Sequence, residues 1–241
     1  MADVVRGIRA FGMAGAVARA VYVGLARTRR DERFTRKSYA GRTVDLYSGP
    51  AVALGALAGS ATLPTRAAGL VAVGAGALCG AYDDVRGDHR RGFRDHLGAL
   101  ASGEVTSGAV KLIGIGGAGL VAGALLKERA VDRVLAAVVV AGTAHLVNLV
   151  DLRPGRATGL VLAVGAPGLL RGPEAAVPMG AAAAVLADDL GERTMIGDSG
   201  AHALGAALGV AIAGGNGRTG LAVHAAALLA VAAWAQSRLP R

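Results

Sequence analysis

Seven aspartates and one asparagine fall in three separated stretches of this chain, each beside an apolar run. Asp83, Asp84 and Asp88 form the first. Asn148 and Asp151 form the second, and Asp188, Asp189 and Asp198 the third. In Tyr82-Asp83-Asp84 two adjacent carboxylates end an apolar segment. Such a pair is costly beside lipid unless a cation or proton compensates. Hard oxygen donors suit a hard divalent ion, and Mg²⁺ commonly takes one or two carboxylates together with substrate phosphates. A solvated acidic turn at a helix end is the plain alternative. Lys111 lies near the start of a later apolar run. It is either a lysine snorkelling to the interface or a point charge for a diphosphate.

His145 and Asn148 are three residues apart and share a helical face. Asp151 follows before Pro154 stops the helix, and Arg153 and Arg156 come next. Carboxamide, carboxylate and guanidinium groups together suit a metal-bound phosphate donor. A capped helix end with basic flanks is the competing reading. Asp198 sits between Gly197 and Gly200 at the head of an apolar run. It reads as an N-cap or as a metal ligand approached closely past the glycines. Gly205 and Gly209 continue with small-residue spacing suited to helix contact in lipid. His202 and His224 lie inside apolar runs and read as packed, hydrogen-bonded histidines.

The elements that hold these groups must be membrane helices. Of 241 residues, 53% are hydrophobic, 18% are charged and 38 are glycine, yet the formal net charge is +9. Mean hydropathy is +0.48. A soluble domain carries more polar surface, and a disordered chain carries less apolar material. One cysteine, Cys79, excludes a disulfide scaffold. The fold class expected is an all-α polytopic transmembrane bundle of about nine helices in a single domain, residues 1–241. The spans expected are 4–26, 44–63, 66–82, 109–126, 131–147, 158–170, 174–187, 199–214 and 219–235. Arg6, Arg9 and Arg19 leave an amphipathic surface helix as an alternative for the first. Two short spans, with Pro167 and Pro178, read as tilted, broken or partly re-entrant.

Nine alternating spans put the loops 27–43, 83–108, 148–157 and 188–198 and the C-terminus on one side. That side holds sixteen lysines and arginines against eight on the other, which marks it as cytoplasmic. The basic loop from Arg27 to Arg42 follows the same rule and attracts anionic lipid phosphate. The basic residues are explained by loop positions, so no nucleic-acid partner is expected. All three acidic stretches fall on that side too.

In order and spacing these motifs resemble the polyprenyl-phosphate sugar-1-phosphate transferase superfamily. The stretch Gly41 to Pro50 looks like its basic loop and glycine at the head of a second helix. Asp83 and Asp84 look like its aspartate pair, and Lys111 falls where the family keeps a lysine. Asn148 to Asp151 looks like its Asn-x-x-Asp motif, and Ile196 to Gly205 like its glycine-aspartate motif. The resemblance covers roughly residues 36–214. It implies a multi-pass enzyme of the plasma membrane, with its active face cytoplasmic, acting on a UDP-sugar and a polyprenyl phosphate. It further implies Mg²⁺, with Mn²⁺ as a substitute, and allows a homodimer. On this chain it makes Asp198 the metal ligand and Asn148 a second contributor. Asp83 and Asp84 become the catalytic pair and Lys111 the holder of the diphosphate. Asp151, Arg153, Arg42 and Arg193 become substrate contacts. The chain departs from the family in two places. Asp151-Leu152-Arg153-Pro154 stands where Asp-Gly-x-Asp is usual, and no histidine- or arginine-containing cytoplasmic loop follows Asp198. A scaffold that binds polyprenyl phosphate or serves a partner enzyme is therefore a second expectation, and a small transporter a third.

Overall fold

The computed structural model describes residues 1–28, 31–87 and 93–238. Asp88, one of the acidic residues singled out above, lies outside them. The described chain is a bundle of ten α-helices with one small hairpin. The helices are α1 (Ala2–Thr28), α2 (Ser48–Ala61), α3 (Arg66–Arg86), α4 (Phe93–Ala101), α5 (Ser107–Leu126), α6 (Ala130–Val150), α7 (Arg156–Gly168), α8 (Ala176–Leu190), α9 (Gly197–Gly215) and α10 (Arg218–Ser237). Strands β1 (Thr35–Lys37) and β2 (Thr43–Asp45) pair antiparallel, with Arg36 opposite Val44.

Nine of these helices stand where the apolar pattern places spans, and α4 is additional. Among the described residues, five helices are long and apolar enough to cross a bilayer: α1, α3, α5, α6 and α10. Helices α2, α7 and α8 have 14, 13 and 15 residues. At 1.5 Å per residue each is about 20 Å long, short of the roughly 30 Å of hydrocarbon. Helix α9 has 19 residues, but it is the hub of the bundle, packed on α3, α6 and α2. A helix surrounded by protein need not match lipid in apolarity.

Helix α1 packs through a stripe one residue in four, Ala10, Ala14, Ala18 and Tyr22, all buried. Its neighbours are α2 and α8. Small side chains dominate the core and let backbones touch, as expected where packing rather than water drives association. One tight crossing joins α3 to α9. A β-carbon added at Gly80 would stand 2.3 Å from the Asp198 carbonyl oxygen. That crossing sets the aspartate-bearing ends of the two helices side by side.

The alternation of helix directions gathers two polar ends. At one end lie the close of α3, the starts of α5 and α9, the close of α6 and the hairpin. At the other, Lys127 Nζ donates to the Asn216 carbonyl at 2.8 Å, and Arg218 pairs with Asp132 at 2.7 Å. A test of the crossing is Gly80→Val in detergent-purified protein. Overpacking there costs about 1–3 kcal/mol and lowers the thermal midpoint by several degrees. Gly117→Val, at a site with nothing within 4 Å, leaves the midpoint unchanged.

Candidate functional site

The site begins with how α9 starts. Its first N–H groups have no partner within the helix, and Ile196 before it offers no capping side chain. Asp84 of α3 supplies the cap from outside. One carboxylate oxygen accepts from Asp198 N and the other from Ser199 N, each at 2.9 Å. A carboxylate on a helix N-terminus gains both charge-assisted hydrogen bonds and the helix dipole. Gly197 makes the approach workable. Its φ is +58°, and a β-carbon there would stand 2.9 Å from the Asp84 carboxylate. The close contact read from sequence at this glycine is thus made by Asp84.

Asp83, next along α3, turns to a different partner. Lys111 Nζ lies 2.8 Å from Asp83 and 2.8 Å from Asp198. Three helices, α3, α5 and α9, therefore meet at one ammonium. The Asp83, Lys111 and Asp198 side chains are only about one-fifth to one-quarter exposed, at 21%, 20% and 26%. His202, one turn further along α9, is buried and bonds Asp198 through its backbone carbonyl at 2.8 Å. It is the packed, hydrogen-bonded histidine expected, as is His224 on the Gly220 carbonyl.

Asp151 follows α6 in a tight turn and belongs to the same field. Burial above all, then the charges of Asp189, Asp198 and Asp84, push its carboxyl up to about 7. Asp189 itself is engaged: it accepts from Gly155 N at 3.2 Å and from Thr158 Oγ1 at 3.0 Å, finishing the start of α7. Asn148 stands in the last turn of α6. Among the described residues its side chain makes no hydrogen bond to Lys111 or its two carboxylates.

The arginines sit around this centre rather than in it. Arg153 stacks on the Tyr39 ring at 4.9 Å. Arg193 is held by Asp188 at 2.8 Å and by the Ala187 carbonyl, and Arg19 bonds the other Asp188 oxygen. Arg42 is exposed on the hairpin. Arg36, which the sequence reading left aside, donates to the Asp84 carbonyl. Ser38, Tyr39 and Glu192 also escaped that reading. Together with Asp151, Arg153 and Asp189 they line a small pocket. A serine, a tyrosine and a glutamate in polar loops carry no spacing signal. The only flag is structural: Glu192 is the one non-glycine with positive φ among the described residues.

Among the described residues, no three histidine, cysteine, aspartate or glutamate side chains are arranged to enclose a metal ion. Two carboxylates, Asp83 and Asp198, share the ammonium of Lys111 and are the hard oxygen donors a divalent cation would take there, while both oxygens of Asp84 are engaged by the α9 amides. No family model matches the chain, and a search of curated proteins finds no match. The geometry therefore carries the functional argument alone.

Two outcomes follow. Lys111→Met leaves two carboxylates facing each other without their cation. It lowers unfolding stability by about 2 kcal/mol, below the range for fully buried pairs because the groups keep some water. Asp151 gives a pH signature. Its folded pKa of about 7 lies above the usual carboxylate value, so the unfolded chain loses this proton first as pH rises. Stability from this group is complete below about pH 4 and falls between about pH 4 and pH 7. Asp151→Asn removes that slope: thermal unfolding of the variant matches the parent at low pH and exceeds it at pH 8.

Proposed function

We propose that this protein transfers a sugar-1-phosphate from a UDP-sugar to a polyprenyl phosphate at the cytoplasmic face of the plasma membrane. One observation carries the reading. Lys111 joins Asp83 to Asp198 across three helices, beside an α9 start that Asp84 completes. These are the residue types that phosphoryl transfer needs, gathered at one end of a helical bundle. Such transfer depends on positioning and charge stabilisation more than on covalent help.

In this reading a phosphate oxygen of the lipid attacks the β-phosphorus of the UDP-sugar. A new P–O bond forms as the bond from that phosphorus to the α,β-bridging oxygen breaks. UMP leaves with that oxygen, and the lipid carries a diphosphate-linked sugar. Lys111 holds the diphosphate, its ammonium moving between carboxylate and phosphate oxygens. Asp83 orients the lipid phosphate, and Asp84 keeps the α9 start in register. Asp198 would hold the metal ion, with Asn148 as a second contributor. Mg²⁺ or Mn²⁺, when bound there, neutralises charge on the diphosphate. Asp151, Arg153 and the pocket around them face the nucleotide, with Arg42 and Arg193 at its margin.

The experiment is UMP release from a panel of UDP-sugars, with polyprenyl phosphate and Mg²⁺, by protein in nanodiscs. Asp198→Asn lowers the rate by about two orders of magnitude or more while the protein still elutes as a folded species. Unchanged turnover in that variant would overturn the assignment. A second reading, a scaffold that binds polyprenyl phosphate without turnover, is favoured by Arg193 being already committed to Asp188. It predicts binding of the lipid phosphate with no binding of any UDP-sugar.

A further inference from the structure

The hairpin is held very differently at its two ends. Its base is built into the core. Thr194, fully buried, donates to the Asp45 carboxylate at 2.7 Å and also contacts Ser48 Oγ at 2.9 Å. Met195 N donates to the Asp45 carbonyl at 2.9 Å, and Leu46 N to the Phe34 carbonyl at 2.8 Å. Among the described residues, two polar contacts hold the tip, Ser38–Arg42, from outside. One is Glu192, whose single carboxylate oxygen accepts from Ser38 Oγ and from Ala40 N, the latter at 2.9 Å. The other is the stack of Tyr39 on Arg153.

Those two contacts straddle the small pocket. Ser38 and Tyr39 form one wall. Asp151 and Arg153 face them from the turn after α6, and Asp189 and Met195 complete the lining. Glu192 reaches the tip from a backbone with φ of +48°. A non-glycine residue held there stores conformational strain, which persists only where surrounding contacts enforce it. Gly41 at φ +78° lets the tip turn back on itself. The Glu192 carboxyl is held below the usual range by Ser38, by the Ala40 N–H and by Arg42, so the contact survives mild acidification.

We propose that the hairpin tip is a hinged lid on this pocket, latched by Glu192 and by the Tyr39–Arg153 stack, with its hinge at Asp45. The lid controls access to the Asp151 turn, and it does so whether or not the transferase reading stands. Opening breaks the two Glu192 hydrogen bonds, the Tyr39–Arg153 contact and the Arg36 bond to the Asp84 carbonyl, and leaves the Asp45–Thr194–Ser48 network intact. A strand pair of three residues each has little stability of its own, so the latch decides the position of the tip.

The test places a thiol under the lid. In full-length protein carrying Cys79→Ala and Met195→Cys, labelling by a charged maleimide is slow. Adding Glu192→Gly removes the latch and suits the positive φ, so folding is preserved. Labelling then speeds up by about tenfold or more. Glu192→Gln keeps an oxygen for both donors and stays within about threefold of the parent rate. Amide exchange of the Glu192→Gly variant rises across residues 38–42 and stays protected across 45–48. An unchanged labelling rate in Glu192→Gly, rapid labelling in the parent, or loss of protection across 45–48 would each overturn the lid.

Discussion

One ammonium between two carboxylates sets the terms for the rest of this structure. Lys111 can sit 2.8 Å from both Asp83 and Asp198 only if three helices end within a few ångströms of each other. A side chain on α3 or α9 bulkier than hydrogen at the crossing would forbid it, which is why Gly80 lies against the Asp198 backbone. The ion pairing repays little by itself, because desolvating charges offsets most of their attraction. What it does is fix relative position. An unpaired carboxylate in this setting is costly, so the three helices have one arrangement in which all the charges are answered.

The two carboxylates of the aspartate pair divide their work. Asp84 finishes α9, while Asp83 faces Lys111. A second carboxylate on another helix, Asp189, holds the start of α7 through the Gly155 N–H and the Thr158 hydroxyl. The polar end of the bundle is therefore both scaffold and candidate chemistry, with the same residue types serving each. Around it, Arg19, Arg193 and Asp188 make a separate knot linking α1 to α8. The acidic residues are numerous here because helix ends need them as well as any ligand.

Much of this was written in the apolar pattern. Nine segments of that pattern became helices, and the fold brings Asp83, Asp84, Asp151 and Asp198 to one end. The lengths of the helices were not legible. Length in sequence does not show that α2, α7 and α8 stop at about 20 Å, or that α9 is enclosed by protein. Helix α4 lies within a basic loop whose charges hide a short helical stretch. The hairpin has strands of three residues, too few for an alternating pattern to register. Neighbouring aspartates look identical in a sequence, so only the fold distinguishes the cap from the ion pair.

Caps borrowed from other helices have an order in time as well as in space. The carboxylate that completes α9 belongs to Asp84, which leaves the ribosome more than a hundred residues earlier and is waiting when Asp198 arrives. The one that ties down the start of α7 belongs to Asp189 and emerges only after α7 and most of α8 are made. Until then the Gly155 amide and the Thr158 hydroxyl lack this partner. The region from Pro154 to Leu190 must therefore mature as one unit late in synthesis, and the segment carrying Asp198 joins a framework already standing.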